Sequence, residues 1–265
     1  MALTLLRIFA IITMVVLGLL PLHALASPIC TFTHSTIQLS YRGTPIAVDI
    51  YQPRRTIRPP VLFLIHGSAG LFTKPANSTT DTLDNFGEHT FARACFLVVL
   101  PHYLDALHLR SLDSPDQART HFPDMLAALQ SIYHQVEARF QLTAHPRSIG
   151  IYGESLGGFL AIALAADEPR ISALSEFSAG LPPFPLSDLA APHHVLIQHA
   201  ADDTLVPVQQ ASDLAAYYQN RSPHIDLHLV IYPGQTHYFD GATRARILAR
   251  SLDFFNNSLQ PARSR

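Results

Sequence analysis

Six short runs of almost unbroken apolar residues constrain this chain more than any other feature. They read VLFLI (61–65), FLVVL (96–100), SIGIY (148–152), ISALSEF (171–177), HVLIQHA (194–200) and LHLVIY (227–232). A strand wetted on one face alternates apolar and polar side chains, so runs without alternation predict strands buried on both faces. Helical spacing fills the intervals. The longest such stretch, Ser114 to about Phe140, opens on a serine cap with Pro115 at the first helical position. It repeats Phe122, Met125, Leu126, Leu129, Ile132, Tyr133 and Val136 along one face. Residues 155–167, about 208–220 and about 242–258 predict further helices. Strands alternating with helices predict an α/β fold: a mostly parallel central sheet, helices on both faces and right-handed crossovers. Ahead of it, STIQLSYRGTPIAVDIYQP alternates on both sides of Arg42-Gly43 and predicts an N-terminal antiparallel hairpin.

The first 26 residues obey a different rule. Arg7 precedes IFAIITMVVLGLLPLHALA, an apolar run broken by Pro21 and closing on Ala24-Leu25-Ala26. That pattern predicts a signal peptide over 1–26, a mature chain starting at Ser27 and a secreted or periplasmic protein with no membrane span after cleavage. An uncleaved anchor is the alternative, since the run is nearly long enough to span. Residues 27–265 then form a single domain, since a chain of 265 residues that is 48% hydrophobic and 14% charged has ample material for one core. SAGLPPFPLSDLAAP (178–192) is too short for a large cap domain. A formal charge of −2 with scattered basic residues argues against a nucleic-acid partner. In an oxidising compartment Cys30 and Cys95 have two readings, a disulfide or a free thiol with Cys95 in the core. The fifteen histidines lack accompanying cysteine or carboxylate clusters, so no metal and no cofactor is expected.

In a parallel sheet chemistry gathers past the carboxyl ends of strands, and four motifs lie there. IGIYGESLGG places Ser155 between glycines right after the third apolar run, as a sharp strand-to-helix turn requires. A serine hydroxyl is a weak nucleophile without a base and an orienting acid. ADDTLVP after the fifth run offers Asp203, and PGQTHYF after the sixth offers His237, in the order serine, acid, histidine. LIHGSAGL after the first run supplies small residues beside which a backbone N–H can approach an oxyanion. The backbones of Ser68 and Leu156 are the expected donors. His66, His102, Tyr103 and Phe184 are candidate pocket walls. Each motif also has a structural reading, Asp203 as a helix cap or His66-Gly67 as a plain turn, but four in correct order at separate strand ends point to one site.

With HGSAGL, LPHYLD, GESLGG, DDTLVP and PGQTHYF together, the sequence resembles the α/β-hydrolases, and among them the dienelactone hydrolase family, from about residue 35 to the C-terminal helix. The resemblance implies Ser155 as nucleophile, Asp203 as acid and His237 as base. Asp203 is preferred to Asp202 because it lies three residues before Val206 of the Val-Pro pair, which leaves Asp202 to hold the turn. Three departures stand out. Prototypes of the family use cysteine where this chain has Ser155, place a glutamate near the stretch that is here His66-Gly67-Ser68, and carry a carboxylate-reading arginine where this chain has Gly241. Arg110 is the nearest substitute in the sequence. The expected activity is therefore hydrolysis of small or medium carboxylic ester or thioester substrates. A prolyl-oligopeptidase-type peptidase, a lactone hydrolase and a binding protein that has lost the chemistry are the alternatives.

Overall fold

A computed structural model describes residues 29–259 apart from 55, 57, 72–85, 143–148, 187–190 and 223; the predicted signal peptide lies outside the described residues. The hairpin is β1 (Phe32–Tyr41) and β2 (Thr44–Pro53), paired over their full length. Arg42 and Gly43 turn the chain with φ of 50° and 83°, the two left-handed positions of a two-residue hairpin. The apolar runs form β3 (Val61–Ile65), β4 (Leu97–Pro101), β5 (Ile149–Glu154), β6 (Ile171–Phe177), β7 (His194–Ala200) and β8 (Asp226–Tyr232). Eight strands make one sheet in the order β1-β2-β4-β3-β5-β6-β7-β8. Strands β3 to β8 are mutually parallel, and β2 joins β4 antiparallel.

The helices are α1 (Glu88–Arg93), α2 (Pro115–Phe140), α3 (Leu156–Asp167), α4 (Gln209–Arg221) and α5 (Gly241–Leu259). Ser114 caps α2 by accepting the Gln117 N–H at 3.2 Å. Strand β3 shows why the apolar runs do not alternate. Val61, Phe63 and Ile65 point into a core shared with α2, α3 and α4, while Leu62 and Leu64 point into one shared with α1 and α5. Both faces are buried, so both sets of side chains are apolar. Helix α3 is apolar almost all round because it sits at the centre of the sheet. This is an α/β-hydrolase-like fold with no large insertion domain among the described residues.

The cysteines pair. Cys30 and Cys95 form a disulfide with Cα atoms 5.2 Å apart, tying the start of β1 to the turn between α1 and β4. Closing a loop of 65 residues stabilises the fold by about 4 kcal/mol in the chain-entropy model. No helix among the described residues is long and apolar enough to cross a membrane.

Candidate active site

Ser155 occupies the junction of β5 and α3 at φ 52°, ψ −120°, a backbone state that costs about 1–3 kcal/mol and persists only when its surroundings enforce it. They do so from both sides. The Ser155 N–H donates to the Phe177 carbonyl on β6 at 3.0 Å, and the Ser155 carbonyl accepts from Gly158 and Phe159 in the first turn of α3. The flanking glycines follow from steric need. A Cβ at Gly153 would lie 2.4 Å from the Gly157 carbonyl oxygen, one at Gly157 2.0 Å from the Ile65 oxygen, and one at Gly158 2.5 Å from the Ala179 Cβ. Only hydrogen fits at these three places.

Two other strand ends deliver the acid and the base. Asp203, past β7, is buried and accepts the N–H groups of Leu205 and Val206 on Oδ1, both at 2.9 Å. Those bonds turn Oδ2 toward His237, whose Nδ1 stands 2.8 Å away. A carboxylate only accepts, so Nδ1 carries the proton and Nε2 presents its lone pair. Nε2 lies 3.0 Å from Ser155 Oγ. The loop bearing His237 is tied at both ends. Gln235 and Asp240 exchange hydrogen bonds, Asp240 Oδ1 caps α5 at the Thr243 N–H, and the Gln235 carbonyl accepts the Asp202 N–H. Asp202 thus holds the turn through its backbone while its side chain is exposed.

Sequence reasoning missed one histidine in this region. His199 on β7 donates from Nε2 to the Val206 carbonyl at 2.9 Å and sits 3.6 Å from Asp203 Oδ2. Burial lowers its pKa and keeps it neutral. It packs behind the acid and fixes the loop on which Asp203 sits.

The segment after β3 runs directly over the nucleophile: a Cβ on Gly67 would stand 3.6 Å from the Ser155 Cβ. The Ser68 carbonyl accepts the Leu112 N–H and pins this segment to the chain leading into α2. Leu156 directly follows Ser155 as the first residue of α3, and Ser68 directly follows Gly67, the residue that lies against the Ser155 side chain. His66 is buried and stacked 4.2 Å from the Tyr103 ring, and Tyr103 donates to the His66 carbonyl. Burial lowers the His66 pKa to about 4, so the ring is neutral. Tyr103 is fully buried, supporting the segment from beneath instead of facing a pocket. His102 does face one. It lines a cavity of about 180 Å³ with Asp49, Tyr51, Phe86 and Leu100. Burial pushes the Asp49 pKa upward, but hydrogen bonds from His102, Thr36 and His34 outweigh it and bring it to about 2. Phe184 packs against Phe122 with 41% of its surface exposed. Arg110 lines a narrow cleft with His66 and His102. The arginine that reaches the residue next to the nucleophile is another one, Arg244 on α5, which grips Glu154 with one nitrogen at 3.0 and 3.1 Å from the two carboxylate oxygens.

The model of the dienelactone hydrolase family matches residues 47–257. The chain belongs to that family. Among solved structures, a dienelactone hydrolase from Anabaena variabilis is 16% identical with a TM-score of 0.64, covering 86% of this chain and 99% of its own. A dienelactone hydrolase-like promiscuous phosphotriesterase from metagenomic libraries is 17% identical with a TM-score of 0.67 over the same shares. A putative dipeptidyl aminopeptidase IV from Bacteroides ovatus, 16% identical with a TM-score of 0.61, covers 88% of this chain and 36% of its own. At these identities the likeness is one of fold. No match was found among functionally curated proteins. Family membership and the Ser155–His237–Asp203 geometry together support a serine-hydrolase type of activity.

Proposed function

We propose that this family member is an exported serine hydrolase that cleaves carboxylic ester or thioester bonds of small to medium substrates through an acyl-enzyme. The observation that carries the reading is the unbroken relay from Ser155 Oγ through His237 to Asp203. Ser155 Oγ attacks the carbonyl carbon while His237 Nε2 takes its proton. Asp203 holds the resulting imidazolium and fixes the ring. The Ser68 and Leu156 N–H groups receive the negative oxygen, and His237 then returns the proton to the leaving alcohol or thiol. Water repeats the cycle to release the acid. The Cys30–Cys95 disulfide supports export, since such a pair persists in oxidising compartments.

Carboxylated lactones fit less well. Gly241 opens α5 with no side chain to read a carboxylate, and Arg244 is already engaged by Glu154. The test is fluorophosphonate labelling of the purified chain, followed by p-nitrophenyl acetate, a thioester, a lactone and an anilide. Labelling confined to Ser155 with fastest turnover of ester or thioester is expected. Folded protein that neither labels nor turns over any of them would leave a binding protein on this fold.

A further inference from the structure

His199 lies one residue before the end of β7, a strand paired on both sides, and alternation places it on the face of Val195 and Ile197, which are core residues. The ring is fully buried and neutral. Its Nδ1 has no hydrogen-bond partner among the described residues. A buried polar atom without a partner costs stability, so packing alone favours an apolar side chain here. What the ring supplies is its other nitrogen. Nε2–H donates to the Val206 carbonyl at 2.9 Å, on the far arm of the turn that carries Asp203. The near arm of that turn is tied by its backbone, Ala201 N–H to the Tyr232 carbonyl and Asp202 N–H to the Gln235 carbonyl. The far arm is exposed at Thr204, Leu205 and Pro207, and its two bonds to Asp203 Oδ1 are internal to the turn. Among the described residues, the hydrogen bond that joins this arm to the sheet comes from His199.

We propose that His199 is a positioning residue of the triad: by holding the Val206 carbonyl it keeps the Asp203 turn closed, so that Asp203 Oδ2 stays aimed at His237. The proposal deepens the serine-hydrolase reading and rests on it. The contacts form one series. His199 holds the Val206 carbonyl, the Val206 N–H holds Asp203 Oδ1 at 2.9 Å, and Asp203 Oδ2 faces His237 Nδ1 at 2.8 Å. His237 Nε2 completes it at Ser155 Oγ, 3.0 Å away. His199 Nε2 also stands 3.6 Å from Asp203 Oδ2, too far for a hydrogen bond. A slackened turn would let that N–H compete with His237 for the same oxygen. The Val206 carbonyl therefore does two things at once: it anchors the turn and it occupies the proton that would draw Oδ2 away.

The test separates the two nitrogens. His199→Gln puts an amide N–H near the place of Nε2, His199→Asn puts one near the place of Nδ1, and His199→Phe keeps a ring with no donor. In the Asn and Phe variants kcat for p-nitrophenyl acetate is expected to fall about 10- to 100-fold with KM within about threefold, the loss that follows when a reacting group is misplaced by about 1 Å. His199→Gln should return kcat to within about fivefold of wild type. A second readout needs no substrate: the downfield Nδ1–H resonance of His237, assigned by its loss in His237→Gln, reports the bond to Asp203. It should persist in His199→Gln and move upfield or broaden away in the other two. A kcat and a resonance unchanged in His199→Asn and His199→Phe would make the residue a filler of the core and overturn the proposal. Equal losses in all three would show that ring shape matters and not Nε2–H, which overturns it as well. Wild-type protein decides where variants do not fold: ¹⁵N shifts of His199 should show a neutral ring protonated at Nε2, and a proton on Nδ1 would sink the proposal. Protein that follows this pattern but neither labels with fluorophosphonate nor turns over an ester would sink the hydrolase reading and leave the positioning intact.

Discussion

The nucleophile turn and the acid–base arms meet within hydrogen-bond distance, yet they are built on opposite principles. The turn between β5 and α3 is made by what is absent: three glycines leave no Cβ, and backbone atoms of β3 and α3 and the Ala179 methyl close in on them. The arms carrying Asp203 and His237 are made by what is present, a chain of side-chain hydrogen bonds through Asp203, Gln235 and Asp240. Sterics fix the partner that must not move during attack. Hydrogen bonds fix His237, which must gain and lose a proton, and Asp203, which orients it. The difference teaches that the turn should break when an atom is added, and the arms when a donor or acceptor is changed.

The largest effect comes from the one side chain of the turn that does chemistry. Ser155→Ala should lower kcat/KM for a p-nitrophenyl ester by about 10⁶-fold. Melting temperature should stay near the wild-type value, because the Ser155 backbone bonds remain. A variant retaining a tenth of the activity would show that another group attacks. Next comes the arm. Asp203→Asn should cost about 10⁴-fold, since an amide can hold the wrong tautomer of His237. Asp202→Asn should cost less than about tenfold, because Asp202 contributes its backbone N–H to the turn. Equal losses measured side by side would show that the carboxylate facing His237 is not the one that matters.

Adding one carbon to the turn is the third test. Gly157→Ala would put a Cβ 2.0 Å from the Ile65 oxygen and 2.4 Å from the His66 oxygen, both backbone atoms where β3 ends and the segment over Ser155 begins. Neither can move without shifting β3. A loss of about 3 kcal/mol or more in urea unfolding is expected, at the upper end of ordinary overpacking, together with loss of activity. Wild-type stability in this variant would mean that the turn is looser than the glycines imply.

How much of this was legible in the sequence follows the same division. Each of β3 to β8 appeared within two residues of its apolar run, because burial on both faces leaves a dense local signal. The boundaries of β3, β6 and β7 fell at 61–65, 171–177 and 194–200. The 3₁₀ turn Tyr103–Leu107 carries too few residues for a period and went unread. Ser155, Asp203 and His237 stood out because each closes an apolar run. The Glu154–Arg244 pair did not, since contact between residues ninety apart leaves no spacing to read. Tyr103 was misplaced on a pocket wall for a related reason. Nothing local distinguishes an aromatic facing a cleft from one stacked beneath His66. The cysteine pairing was open in sequence because only the fold decides whether two Cα atoms come within reach.

The smallest expected effect concerns a carboxyl that the turn buries and the arms would have satisfied. Glu176 on β6 is fully buried below the first turn of α3; Oε2 accepts the Ala179 N–H at 2.9 Å, and Oε1 has no hydrogen-bond partner among the described residues. Asp203, one strand over, has three donors. Burial with a single donor raises the Glu176 pKa to about 8, so the folded protein keeps a proton there that the unfolded chain releases near its ordinary 4.5. The folded state thus binds more protons between those values, and its stability falls as pH rises from about 4.5 to about 8. Glu176→Gln keeps the shape and removes the titration. Melting temperatures of variant and wild type should nearly coincide at pH 4.5 and separate toward pH 8 in favour of the variant, by roughly 2–4 °C for each kcal/mol. A constant difference across that range would show that Glu176 finds a second donor and is ionised throughout, which would make the floor of the turn as polar as the arms.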